Sequence, residues 1–289
     1  MRTTLLTSGA NSRVKQLRAA FRGSARLSGG LVAIEGETLL QEALRSGLPV
    51  KTVFLSERTD PPAWLPRGVE LLHLADEVFA SVVDTQHPQG IAALLLPPRW
   101  ELETAINSRG SSDLLVLIAV GLQDPGNLGT LIRSAEAFGA TAVLTTPGGV
   151  SEWNPKALRA SAGSVFRVPV VQVISAQLIA LKSHGMRLFA AVAPNSESTS
   201  SAEATQNELI SVATADLTGP CALMVGNEGA GLSADLVALA DERITIPTPG
   251  RIESLNAAVA GSLLLYEAAR QRTRALNEQP ATDRHQPPL

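Results

Sequence analysis

Three glycine-containing stretches bring amide, carboxylate, hydroxyl and guanidinium side chains to the ends of apolar runs, where a ligand could be bound and acted on. The first, Gly121–Gly129, reads GLQDPGNLG, follows the apolar run Leu114–Val120 and opens a helix. Parallel α/β folds bind ligands at such a place, outside the carboxyl end of a strand and against the free N–H groups of a helix. Neither the dinucleotide pattern G-x-G-x-x-G nor the phosphate loop G-x-x-x-x-G-K-[ST] is present, so both nucleotide-site readings lose their motif support. On the helix, Gly126, Gly129, Thr130 and Arg133 share one face, while Leu128, Leu131, Ile132, Ala135 and Phe138 make the other. A ligand or a second chain could approach the small-residue face closely.

The second stretch, Val225–Leu232, places Asn227 and Glu228 among three glycines directly after an apolar strand, where glycine permits left-handed backbone and close approach. The third, Ile246–Asn256, leaves a strand through Pro247 and Pro249 and ends with Ser254 or a neighbour capping the last helix. Plain structural readings stand beside the chemical ones. Arg133 could be a solvated arginine or a partner of Glu136, Asn127 a helix cap, and Glu228 a solvated acid in a turn.

Metal chemistry has no support: His73, His87, His184 and His285 are scattered, and Cys221 lies in an apolar strand where packing is its expected role. One cysteine forms no internal disulfide, so nothing calls for an oxidising compartment and the cytoplasm fits. No run approaches the roughly 18 to 20 consecutive apolar residues that cross a bilayer, so a soluble protein without a membrane partner is expected. The 289 residues, 45% hydrophobic, are enough for two folded domains.

The net charge of −3 looks unsuited to a nucleic-acid partner, but such footprints are local. Residues 1–26 carry Arg2, Arg13, Lys15, Arg18, Arg22 and Arg26 with no acid. Lys15, Arg18 and Arg22 fall on one helical face beside the apolar Val14, Leu17 and Phe21, which predicts an anchored basic helix. RNA contact, a solvated surface helix and a targeting peptide are the alternatives; patterned structure from Leu31 onward makes the last the weakest. With 3% aromatic residues, stacked aromatic platforms are not expected, which leaves basic and polar contacts to a structured RNA.

Strands over 31–34, 52–55, 71–74 and 91–96 and helices over 37–45 and 75–83 make a first α/β domain, residues 1–98. A connector over 99–112 follows. Residues 113–276 then alternate buried strand, turn and helix: strands 114–120, 142–145, 168–170, 187–192, 222–225 and 244–246, and helices 127–138, 157–162, 234–240 and 255–272. That alternation predicts a parallel sheet. Residues 194–216 read as a surface excursion and 277–289 as a disordered tail.

Taken in order, the three stretches resemble the motifs of the SpoU family of RNA methyltransferases, part of the trefoil-knotted methyltransferase superfamily. They are Asn127, Gly129 and Arg133 in N-x-G-x-x-x-R, GNEGAGLS (226–233), and ESLNAAVA (253–260) with LYEAARQR downstream. The N-terminal part resembles an L30e-type substrate-binding domain through SRVKQLR (12–18), IEGETLLQEAL (34–44) and HPQGIAAL (87–94). Nearly the whole chain is covered. Ala257 and Ala258, where the family often has Val and Ser, and the rigid Pro249 depart from the usual pattern without removing a functional residue.

The resemblance implies an α/β protein with a deep trefoil-knot C-terminal domain on a mostly parallel sheet and a smaller L30e-like domain before it. It further implies a homodimer that binds S-adenosylmethionine near Thr145, Thr146, Gly148, Gly226, Asn227, Ile246, Ser254, Leu255 and Asn256, largely through backbone groups. Arg133, Asn127, Glu228 and Asn256 are the implied catalytic set, with Arg13, Lys15, Arg18, Arg22 and Arg133 toward RNA. The reaction implied is methylation of a ribose 2′-hydroxyl, in ribosomal RNA by analogy of the extra domain; transfer RNA and a non-catalytic RNA-binding relative are the alternatives. That hydroxyl is a poor nucleophile near neutral pH and must be held in line while charge is stabilised as its proton leaves. A guanidinium is an awkward general base, so stabilising charge and holding phosphate is the role expected of Arg133, with Asn127 orienting and Glu228 fixing the arrangement.

Overall fold

The computed structural model describes residues 5–22, 30–107, 113–194 and 209–278. They form two compact units: one gathers the chain up to Trp100 with Asp124–Arg133 and Val150–Arg167, the other Glu101–Gln123, Ser134–Gly149 and the chain from Val168.

The first unit opens with β1 (Leu5–Leu6), α1 (Ser12–Arg22), β2 (Val32–Glu35), α2 (Glu37–Arg45), β3 (Val50–Ser56), β4 (Glu70–Leu74), α3 (Asp76–Ala80) and β5 (Ile91–Leu95). Its sheet runs β1-β4-β3-β5-β2, parallel among the first three and antiparallel at β5. The basic helix is amphipathic as its spacing predicts: Val14, Leu17 and Phe21 of α1 join Phe54, Leu74, Phe79 and Leu94 in one core. Burying each such side chain contributes about 1.5–3 kcal/mol, which anchors a helix whose other face is charged.

The chain continues through α4 (Leu102–Asn107), β6 (Leu115–Ala119), α5 (Pro125–Ala137), β7 (Ala142–Thr145), α6 (Pro155–Ser161), β8 (Val170–Gln172), α7 (Ser175–Ser183), β9 (Arg187–Ala191), β10 (Leu209–Ser211), β11 (Cys221–Val225), α8 (Ala234–Leu239), β12 (Glu242–Thr245) and α9 (Ala257–Glu278). The second unit's sheet is seven strands in the order β10-β12-β9-β11-β6-β7-β8, with every pairing parallel. Every residue of β6, β7 and β11 is buried, which is why these strands read as unbroken apolar runs rather than alternating ones. Val116, Ile118, Leu144, Leu188, Ala222 and Met224 pack with Leu178 and Leu181 of α7.

Several boundaries differ from the sequence reading. α7 and the edge strand β10 differ from the expectation; α7 buries only Leu178 and Leu181 and leaves Ile179 exposed, so its apolar residues form no clear stripe, and β10 is three half-buried residues long. The closing helix runs on to Glu278, so Asn277 and Glu278 belong to it and not to a tail. Ion pairs Arg270–Glu267 and Arg274–Glu278 support its last turns. Residues 279–289 of the expected tail, 195–208 of the expected excursion and 108–112 of the connector lie outside the described residues.

Candidate functional site

In an all-parallel sheet every carboxyl end lies on one edge, so the loops after β6, β7, β11 and β12 are gathered there by topology alone. Three of these loops are tied together. The Gly121 N–H donates to Thr146 Oγ1 at 2.9 Å. Gln123 Nε2 donates to Gly148 O at 2.7 Å and to Gly121 O at 3.1 Å, and Asn227 Nδ2 reaches the same Gly121 oxygen at 3.4 Å. Of the expected cofactor residues, Thr146, Gly148 and Asn227 are therefore joined in one hydrogen-bonded group, with Thr145 buried at the end of β7. Gln123 and Gly121 were missed, because the contacts they make span 25 and 106 residues and leave no local signal.

The turn after β11 is closed on itself. Asn227 Oδ1 accepts from the N–H groups of Gly229 at 3.0 Å and Ala230 at 2.6 Å, and Asn227 pairs with Gly231 as a bridge. A Cβ on Gly226 would stand 2.2 Å from the Gly231 carbonyl carbon, so this position excludes any side chain. Glu228 sits exposed in this turn. Ile246 continues β12 at the same edge, half-buried, while Ser254 and Leu255 lead into α9. There Asn256, not Ser254, is the cap: its Oδ1 accepts from Ala258 N at 2.9 Å and Val259 N at 3.2 Å.

In the first unit, α5 begins two residues earlier than its apolar pattern suggests. Asp124 is its N-cap, accepting from the Asn127 N–H at 3.0 Å, and Pro125 occupies the first helical position, where its missing N–H costs nothing. Asn127 is thus three residues inside the helix and not its cap; the Asp-Pro pair was the signal. Lys156 Nζ donates to Asp124 Oδ2 at 2.7 Å, and this bond, followed by that of the Asn127 N–H, holds the Asp124 carboxyl below the usual carboxylate range. The small-residue face, open in sequence to a ligand or a second chain, is taken up at Gly129, where a Cβ would lie 2.3 Å from Ala157 O and 2.7 Å from the Ala160 Cβ of α6. Arg133, one turn further along, is exposed.

Of the expected RNA contacts, Arg18 donates to Gly9 O at 3.1 Å and to Ser81 Oγ at 3.3 Å, and Arg13 pairs with Glu70 at 2.8 Å. Lys15 and Arg22 are exposed on α1. No group of three or more His, Cys, Asp or Glu among the described residues is arranged to hold a metal, and no described helix is long and apolar enough to cross a membrane.

Residues 114–266 match the model of the SpoU rRNA methylase family, and residues 11–93 match that of the MRM3-like substrate binding domain. The chain is 35% identical over 262 residues to the 23S rRNA (guanosine(2553)-2′-O)-methyltransferase RlmP of Bacillus subtilis, covering 90% of this chain and 97% of that one. It is 30% identical over 286 residues to human mitochondrial rRNA methyltransferase 3, covering 84% and 68%. Among solved structures, an RNA 2′-O ribose methyltransferase superposes with a TM-score of 0.76 at 34% identity, covering 93% of this chain and all of that one. The SpoU methyltransferase AviRb of Streptomyces viridochromogenes, in complex with the cofactor AdoMet, gives 0.76 at 28% identity, covering 91% and 98%. The chain belongs to the SpoU rRNA methylase family.

Proposed function

We propose that this protein transfers a methyl group from S-adenosylmethionine to a ribose 2′-hydroxyl of ribosomal RNA. The observation that carries the reading is the hydrogen-bonded loop group at the carboxyl edge of the parallel sheet, in a chain that matches RNA 2′-O-methyltransferases over nearly its whole length.

The residues fit the cofactor. Gly148, at φ +84° and exposed, has no atom within 4 Å of where a Cβ would stand, so a ligand can approach its backbone closely beside Thr146. Thr245, the last residue of β12, has a buried Oγ1 without a partner immediately before Ile246. Thr145, Thr146, Gly148, Gly226, Asn227, Ile246, Ser254, Leu255 and Asn256 are the residues assigned to hold it. When bound it supplies a methyl group made electrophilic by its sulfonium; such a transfer needs no metal. Arg133 holds the phosphate beside the target ribose and stabilises the oxygen as its proton leaves, Asn127 orients that ribose, and Glu228 fixes the arrangement. Asn256 caps α9 through its Oδ1 and is assigned a share in positioning cofactor and ribose.

The domain assignment proposed is 1–98 for RNA binding, through Arg13, Lys15, Arg18 and Arg22, then 99–112, then a knotted catalytic domain, 113–276. The match of residues 114–266 to the SpoU family supports the knot. A homodimer is supported by α9, whose Val259, Leu263 and Tyr266 are 49%, 41% and 51% exposed at spacings of one helical turn. The cytoplasm is the proposed site of action, where ribosomes assemble.

The test incubates the purified protein with tritiated S-adenosylmethionine and deproteinised total RNA or ribosomal subunits, then maps the label. Label on one ribose 2′-oxygen of ribosomal RNA supports the reading. Label on transfer RNA moves the substrate, and label on a base, or none despite cofactor binding, overturns the reaction.

A further inference from the structure

Trp64 stands apart from the other tryptophans. Trp153 is 9% exposed and stacks on Phe166, and Trp100 has its indole nitrogen buried, whereas Trp64 is 37% exposed in the loop between β3 and β4. An exposed indole is uncommon, because its large apolar surface gains so much from burial. Here the ring is also fixed. Its Nε1 donates to Glu37 Oε1 at 2.9 Å, the oxygen that accepts Gln41 Nε2 at 3.2 Å. Pro61, Pro62 and Pro66 stiffen the loop, and the Leu65 N–H closes a turn on Pro62 O at 3.0 Å. With its N–H engaged, the ring presents carbon and π surface to water, and little ordering entropy is lost when something flat covers it.

The surroundings select the partner. A protein-docking face needs a contiguous apolar patch, yet among the described residues of this unit the other large exposed apolar side chain is Leu5 in β1. A nucleobase needs one ring and a nearby cation, and Arg67, three residues on, is exposed. We infer that Trp64 is a stacking platform for one unpaired base of the substrate RNA, a contact that the low aromatic content of the chain conceals. The inference rests on the RNA-methylation reading, and it assigns part of substrate choice to the 11–93 domain.

The experiment titrates the full-length protein with deproteinised ribosomal RNA while recording tryptophan emission, filter-binding affinity and methyl transfer, for the wild type, Trp64→Ala and Trp64→Phe. The RNA should quench wild-type emission. Trp64→Ala should lose most of that quench and bind about tenfold more weakly, while Trp64→Phe, which keeps a ring but not the N–H, should bind within about threefold of wild type. Unchanged affinity in Trp64→Ala with normal methyl transfer overturns the stacking contact and leaves the enzymatic reading intact. Equal weakening in both variants, with a lowered melting temperature, makes Trp64 a brace for α2 and overturns it too. A wild type that neither binds nor methylates the RNA overturns both.

Discussion

Adding one methyl group at Gly226 should disable cofactor binding without unfolding the protein. The new Cβ would meet the Gly231 carbonyl carbon at 2.2 Å, its oxygen at 2.3 Å and the Leu232 nitrogen at 2.7 Å, all backbone atoms that cannot rotate away. Reaching even a tolerable contact moves the far side of the turn by about 1 Å, and a misplacement of that size costs up to about 100-fold where geometry is tight. The movement also breaks the Asn227 bonds to Gly229 and Ala230 and, through Asn227, loosens the tie to Gly121. Gly226→Ala should therefore weaken S-adenosylmethionine binding, measured by isothermal titration calorimetry, by about 10- to 100-fold. The core strands are untouched, so overpacking should cost only about 1–3 kcal/mol of stability. Gly219→Ala, with nothing within 4 Å of its Cβ, is the control and should bind as wild type. Gly226→Ala binding within twofold of wild type would refute the role given to this turn.

Arg272 donates to the carbonyls of Asp113, Leu114, Leu217 and Gly219, binding α9 to the amino-terminal edge of the sheet. Arg272→Met strands the part-buried Leu217 carbonyl, while Leu114 O keeps the Cys221 N–H, and should cost about 1–3 kcal/mol in urea unfolding, whereas breaking the exposed Arg274–Glu278 pair should cost under about 0.5 kcal/mol. Gly129→Ala should separate α5 from α6 and lower turnover more than cofactor affinity; steady-state kinetics beside calorimetry checks the split. Because the Asp124 carboxyl is held below 3.8, the Lys156 pair stabilises above that pH and is lost as pH falls through the lowered value. The small stability difference between wild type and Asp124→Asn should thus be full near neutral pH and fade as acid protonates the lowered carboxyl, in titrations followed by circular dichroism.

Much of this molecule is legible along the chain because its signals are local. α2 and β7 run over the residues that apolar periodicity and glycine punctuation assign to them, and Val14, Leu17 and Phe21 predict which face of α1 is buried. The three loops follow buried strands, so their gathering at one sheet edge follows once the strands are parallel. What stays hidden is what depends on distant partners. Nothing near Gly129 announces Ala157, nothing near Gln123 announces Gly148, and β10 is a strand only because β12 lies beside it. The caps had local signals: Asp-Pro before α5, where Asp124 and not Asn127 caps, and an asparagine directly before Ala257, which decides between Ser254 and its neighbours.

Arg133→Ala should lose methyl transfer when its rate is measured on the mapped RNA with saturating tritiated S-adenosylmethionine. A fall of at least about 100-fold in transfer, with cofactor affinity unchanged, is the result expected when a charge-stabilising guanidinium is removed. Transfer at the wild-type rate to the same ribose would contradict the central role of Arg133, and with it the catalytic reading of this helix.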